Sequence, residues 1–187
     1  MATLSVGGTT VFDGSATQGL TTATTFPAGH ILQVVSVLTT TQASQTITTS
    51  DTQVGLLTKT ITPKGANSKF LVAVRWFGEV GSAWSTCFNI HQDGTRVNIN
   101  GQGRGYGLAS PLISYGQGAN DASTPENANF STLVSTSSVI GTDIIFKVVV
   151  DADNSTYTLW NNRTFNAPST TGNEGGTSEL IITEIKG

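Results

Sequence analysis

Residues 70–77 read FLVAVRWF, which is the strongest strand signal in the chain. With a period of two, one face of this strand is wholly apolar and the other is largely apolar. The two faces are Phe70, Val72, Val74, Trp76 and Leu71, Ala73, Arg75, Phe77. A strand that is apolar on both faces is covered on both faces. We therefore predict a strand within a packed β-structure, with a second subunit covering the face that carries Leu71.

Further strand patterns extend outward from this segment on both sides. Residues 30–38 read as a buried strand. Asp93-Gly94 lies between two strand-like segments, 89–91 and 96–99, which is typical of a tight hairpin. Acidic residues such as Asp151, Glu79 and Glu126 are assigned to turns and loops. The other predicted strands are 44–49, 54–62, 84–91, 96–99, 130–139, 143–150, 157–160 and 179–186. About ten strands without a convincing helix predict an all-β sandwich or barrel.

The composition agrees with an all-β chain and excludes several functions. The 187 residues include 31 Thr, 21 Gly and 18 Ser, which are poor helix formers, and only 11% are charged. A net charge of −3 argues against a nucleic-acid partner bound through its phosphates. No apolar stretch reaches 18 residues, and the first 25 residues lack the pattern of a secretory signal, so we expect no membrane insertion. The single Cys87 excludes a disulfide framework within the chain.

Residues 1–29 differ from the rest of the chain. They are rich in Thr, Gly, Ala and Ser and hold too few large apolar residues to form their own core. Leu4, Val6, Val11 and Phe12 have the spacing of short strands. This segment is either a disordered leader or an extended arm that becomes ordered against another chain, and we favour the arm. The predicted domains are thus an N-terminal attachment arm, 1–29, and a head, 30–187.

The search for catalytic and metal sites yields no catalytic residue, no cofactor-binding residue and no metal ligand set. Cys87 and His91 share a strand face but lie about 13 Å apart along it, too far for a thiol–imidazole hydrogen bond. The run from Asp151 to Asn154 resembles the start of a calcium loop, but Thr156 and Asn162 stand where that motif needs Gly and Glu. A looser surface calcium site stays open as an alternative to a hairpin turn.

One glycine-rich stretch, residues 101–118, is a candidate contact surface. Its spacing does not fit a dinucleotide-binding loop. Arg104, Tyr106 and Tyr115 offer stacking and hydrogen bonding to a partner, whereas the alternative is a flexible loop without a function of its own. Trp76 and Trp84 could line a sugar site, but strand alternation favours core positions for both.

Four segments of the chain are FPAGHILQVV at 26–35, ITPK with NSKFLV at 61–72, NIHQDGT at 89–95 and SELIITEI at 178–185. Together they resemble a family of small fibre-like virion proteins of marine and freshwater tailed phages, including cyanophages. The family's usual forms are FPAGHVLQVV, ITP…SSKILV, LLRDGT and S-x-L-x-x-x-E-I. The resemblance runs from Phe26 to the C-terminus, but this chain departs from it at His91-Gln92 and in the long loop 101–118.

The resemblance implies a jelly-roll-like antiparallel β-sandwich and a virion location. It also implies a non-enzymatic structural role as a trimeric fibre or spike component of the tail or particle surface. The expected partners are further copies of the chain, and other virion proteins held through the N-terminal arm. Two alternatives are a capsid decoration or cement protein, and an adhesin that binds host-surface glycans through the loops 101–118 and 161–176.

Overall fold

The computed structural model describes residues 3–6, 9–13, 27–97, 107–113, 125–153, 155–166 and 174–187. These residues form thirteen strands and one 3₁₀ turn, Ala83–Ser85, with no α-helix among them. The strands are β1 (Thr3–Val6), β2 (Thr9–Asp13), β3 (Ile31–Thr39), β4 (Ala43–Ile47), β5 (Thr52–Ile61), β6 (Lys69–Val80), β7 (Thr86–Gln92), β8 (Thr95–Arg96), β9 (Leu112–Ile113), β10 (Glu126–Ser135), β11 (Ile144–Ala152), β12 (Tyr157–Asn161) and β13 (Ser178–Ile185). No helix in the described part of the chain is long and apolar enough to cross a membrane.

Two antiparallel sheets form the sandwich. Sheet I has the order β3-β13-β6-β10-β9, and β12 links the end of β6 to β4. Sheet II has the order β5-β11-β7-β8. With β4, β9 and β12 set aside, the eight head strands in chain order take the positions 1-8-3-6 in sheet I and 2-7-4-5 in sheet II. This is the strand order of a jelly roll, which confirms the predicted all-β, jelly-roll-like sandwich.

The core lies between the two sheets and is built around aromatic side chains. Phe70 and Trp76 of β6 are fully buried and contact Phe146 and Phe88 of sheet II, with ring centroids 5.6 and 4.9 Å apart. Each such side chain contributes on the order of 2–3 kcal/mol through burial alone. Trp76 also donates from Nε1 to Asn161 Oδ1 at 2.9 Å, so its polar atom is satisfied inside the core.

Several local predictions are confirmed. The alternation along residues 70–77 holds, because Phe70, Val72 and Trp76 are 0% exposed whereas Leu71 is 38% exposed. The Asp93-Gly94 hairpin is present, with Gln92 paired to Thr95 and positive φ angles of 49° and 88° at the two turn residues. Trp76 is a core residue as expected; the side chain of Trp84 lies outside the described residues.

Other local predictions were wrong. Residues 30–38 are not a buried strand: β3 is the edge of sheet I, and Ile31, Val34 and Leu38 are each 56% exposed. Apolar character along a strand does not reveal whether a neighbour lies beyond its edge. Glu79, Glu126 and Asp151 lie within β6, β10 and β11 rather than in turns or loops, and all three are buried.

The N-terminal segment contains strand structure, as its spacing indicated. β1 and β2 pair antiparallel with each other, with an irregularity between Leu4 and Ser5. The division of the chain at Gly29 into arm and head remains a prediction.

Candidate assembly surface

The outer face of sheet I carries an apolar band. Because residues opposite one another in antiparallel strands project to the same face, the registers align one row across four strands: Val34, Thr183, Leu71 and Leu133. Val34, Leu71 and Leu133 are 56%, 38% and 47% exposed. In the next row, the half-buried Ile181 and Ala73 lie between two exposed serines, Ser36 and Ser131. Because these exposed apolar side chains share one outer face, this face is the candidate assembly surface.

Charged groups border this apolar band. In the row beyond Ile181, Arg75 lies 4.0 Å from Glu179, and both side chains are partly exposed. Arg75 also donates to the carbonyl oxygen of Thr177 at 2.9 Å, which orients its guanidinium across the sheet. At the other end of β6, Lys69 is exposed beside Ile185. An apolar centre with a polar rim is the usual anatomy of a protein–protein interface.

The outer face of sheet II is organised by charge instead. Arg96 donates from Nε to Asp51 Oδ2 at 2.7 Å and from Nη2 to Asp151 Oδ2 at 2.8 Å, and it also contacts Asp51 Oδ1. His91 Nε2 lies 2.8 Å from Asp51 Oδ2. This cluster fixes the turn before β5 to strands β7, β8 and β11. Burial raises the pKa of Asp51, but the hydrogen bonds from Arg96 and His91 outweigh it and hold that pKa below its usual value.

The side chains of Cys87 and His91 contact different partners. The ring of His91 hydrogen-bonds Asp51, while Cys87 Sγ lies 3.9 Å from Ser110 Oγ. Burial raises the pKa of the Cys87 thiol, only partly opposed by its contact with Ser110. A thiol with a raised pKa is a poor nucleophile near neutral pH. Neither contact therefore activates Cys87.

Two buried carboxylates lie near each other where β6 ends and β10 begins. Glu79 and Glu126 are 1% and 2% exposed. Glu79 Oε2 accepts from the N–H of Phe165 at 2.5 Å, and Glu126 Oε2 accepts from the N–H of Val80 at 3.2 Å. Burial raises the pKa of Glu126 to about 8; the Val80 N–H opposes this rise, and the neighbouring Glu79 adds to it. Both carboxylates bind backbone N–H groups, as structural carboxylates do.

The predicted loop contacts are placed only in part. Arg104, Tyr106 and Tyr115 lie outside the described residues. In the loop 161–176, the described residues include Phe165, which is 47% exposed and packs edge-on against Trp160 with centroids 4.9 Å apart. Across the described ranges, no three His, Cys, Asp or Glu side chains group closely enough to hold a metal ion.

Sequence reasoning found Leu71 on this surface but missed Val34, Leu38 and Leu133. Val34 and Leu38 were assigned to a buried strand, and the face of β10 was not resolved. The period-two pattern gives the two faces of each strand, but only the sheet order shows that these residues share one outer face. The Asp51–Arg96–Asp151 cluster has no sequence signal, since its members lie 45 and 55 residues apart.

Comparison of the chain with models of known protein families and with curated proteins found no match to either.

Proposed function

We propose that this chain is a non-enzymatic structural protein of a tailed-phage particle and forms homotrimers through the apolar band of sheet I. The observation that carries the proposal is the band itself, formed by Val34, Leu71, Leu133 and their neighbours on one outer face. A homotrimer that buries this face removes apolar surface from water without desolvating a charge at its centre. The four sequence segments that resemble phage fibre-like proteins support the virion role.

The contrast between the two outer faces supports the choice of face. Sheet II exposes Leu56 and Ile145, but the end of its outer face near β7 and β8 carries the Asp51–His91–Arg96–Asp151 cluster. Burying that end against another subunit would place charged groups in the interface, which is costly unless each is fully paired. Burying the outer face of sheet I in an interface therefore costs less desolvation free energy.

Light scattering on the purified full-length protein tests the oligomer, and we expect three chains per particle. Leu71→Asp places a charge at the centre of the band and should give monomers. Leu56→Asp is the matched control, because Leu56 is 59% exposed on the other sheet, and it should leave the trimer intact. Val34→Asp, at an exposed position of the same band, should also dissociate the trimer. Circular dichroism checks that each variant is folded.

A monomeric wild-type protein at micromolar concentration contradicts the proposed trimer. A folded, trimeric Leu71→Asp variant shows that the subunits associate through another face. The position in the particle, tail fibre or head decoration, follows from labelling the protein in assembled virions. Absence from purified particles contradicts the virion role itself.

A second candidate function is a glycan-binding adhesin, favoured by Phe165. Its ring is half-exposed although its backbone is fixed from two sides: Glu79 accepts its N–H, and Arg163 Nη2 donates to its carbonyl at 2.7 Å. A rigidly held, exposed aromatic ring beside Trp160 could stack on a sugar. Binding of the protein to a glycan array, lost on Phe165→Ala, would favour the adhesin over a purely structural role.

A further inference from the structure

Strand β3 leaves one edge of sheet I open. Among the described residues, β3 pairs with β13 on one side and with no strand on the other. The open edge is nine residues long. Residues 31–39 contain no charged side chain and no proline, the usual devices that protect an edge strand. Such an edge readily accepts another strand.

The N-terminal ribbon, formed by β1 and β2, also lacks a further strand partner among the described residues. β1 and β2 pair with each other as a two-stranded sheet, and such a ribbon is marginally stable by itself in water. The only ionisable side chain in residues 1–26 is that of Asp13. Addition of this ribbon to β3 would therefore join two nearly uncharged strands and satisfy backbone groups on both.

The connection between the ribbon and β3 favours a neighbouring subunit over the ribbon's own head. The N–H of His30 donates to the carbonyl of Pro27 at 3.2 Å, and Gly29 has a φ of 86°. A positive φ at the third residue is characteristic of a type II turn, which splays the flanking segments instead of pairing them as a hairpin. The turn therefore disfavours a direct hairpin between β3 and the segment that precedes it.

The length of the arm permits this exchange. Residues 14–26 connect β2 to the turn, and thirteen extended residues span up to about 45 Å. A nine-residue strand such as β3 is only about 30 Å long. The ribbon can therefore reach beyond its own head to an adjacent one.

We propose that the open edge of β3 is a strand-docking site, and that its occupant is the β1–β2 ribbon of a neighbouring copy of this chain. This inference rests on the proposed homotrimer and names the partner of the arm. In a closed ring of three subunits, each head receives one ribbon and donates one, so every β3 edge is paired.

Hydrogen exchange of the full-length oligomer tests the docking. In a docked strand, the amides of β3 that point to the open edge, every second residue, are protected. Prolines in the ribbon, Thr10→Pro with Phe12→Pro, remove strand donors and should speed exchange of these amides at least tenfold. The control has the same number of prolines outside β1 and β2, Thr22→Pro with Thr24→Pro, and should exchange like the wild type.

Mixed oligomers identify the donor of the ribbon. Isotope-labelled chains with the ribbon prolines are co-assembled with excess unlabelled wild-type chains. If the ribbon comes from a neighbour, the labelled chains regain protection in β3. If they stay unprotected, each ribbon docks on its own head and the exchange between subunits is overturned.

Two further outcomes separate this inference from the proposed function. A trimer in which β3 exchanges rapidly in the wild type and in both variants overturns the docking but leaves the trimer standing. A monomeric wild-type protein overturns both.

Discussion

Two buried glutamates, which pair with residues at opposite ends of β6, have pKa values shifted in opposite directions. Glu184 pairs with Phe70 near the start of β6, and Glu126 pairs with Gly78 near its end. Their exposed fractions are 0% and 2%, so burial alone would raise the pKa of both. The pKa of Glu126 is indeed raised, to about 8, whereas the pKa of Glu184 is lowered.

The difference lies in the number of hydrogen-bond donors. Glu184 accepts from Ser68 Oγ at 2.7 Å, Gln33 Nε2 at 2.6 Å and the N–H groups of Lys64 and Gly65, each at 2.9 Å. For Glu126, the hydrogen bond described is the single one from Val80. Desolvation favours the neutral acid at both sites, but four donors at Glu184 reverse the outcome. A buried carboxylate is therefore charged or neutral according to its donors, and burial does not decide it.

The connection between β5 and β6 supplies three of these four donors. Gly65 brings its N–H to Glu184 because it has no side chain: a Cβ there would lie 2.7 Å from Leu32 Cδ1 and 2.8 Å from Ser68 Oγ. The ionised Glu184 thus fastens this connection to β13 across the end of the sandwich.

The largest expected effect on stability comes from removing the charge of Glu184, whose carboxylate accepts hydrogen bonds from four donors. Glu184→Gln places an NH₂ group against donors that need an acceptor, and it should lower the free energy of unfolding at pH 7 by about 2–4 kcal/mol. The matched change, Glu126→Gln, should be within about 1 kcal/mol of wild type or more stable at pH 7. Urea unfolding measures both. Equal destabilisation by the two changes would contradict the assigned charge states.

The pH dependence of stability should distinguish the same two residues with opposite signs. The folded protein binds a proton at Glu126 more tightly than the unfolded chain, so stability falls as pH rises from about 4.5 through about 8. The stability from Glu184 is present above about 4.5 and is lost as pH falls through its lowered folded pKa. Thermal unfolding should show a smaller loss of stability between about pH 4.5 and 8 in Glu126→Gln than in the wild type. If the loss is the same in both proteins, it comes from another ionisable group.

The smallest expected effect on stability comes from removing one of the hydrogen-bond donors to Glu184, the hydroxyl of Ser68. Ser68→Ala should cost about 1 kcal/mol and raise the pH at which the protein loses stability in acid, because Glu184 keeps three donors. Ser138→Ala is the control: its hydroxyl accepts from the N–H of Ser68 and donates to the carbonyl of Gly65, without contact to Glu184. It should cost a similar amount at pH 7 without moving the acid transition. Acid titration followed by tryptophan fluorescence compares the two variants.

The sequence alone determined the fold class, the alternation of residues 70–77, the core position of Trp76 and the hairpin at Asp93-Gly94. These follow from local rules: a strand repeats every two residues, and a tight hairpin needs residues that tolerate positive φ. The face of β6 that carries Leu71 was also identified from this alternation.

Only the tertiary structure decided which strands are edges and which polar groups meet. Residues 30–38 looked like a buried strand, yet among the described residues β3 is an edge strand, because the jelly-roll order places β13 on one side of it alone. Glu79, Glu126 and Asp151 looked like turn residues and are buried. The donors of Glu184 come from β3 and from residues 64–68, 116 or more positions away in the chain. Contacts across such separations depend on how the strands are ordered, which a local pattern does not encode.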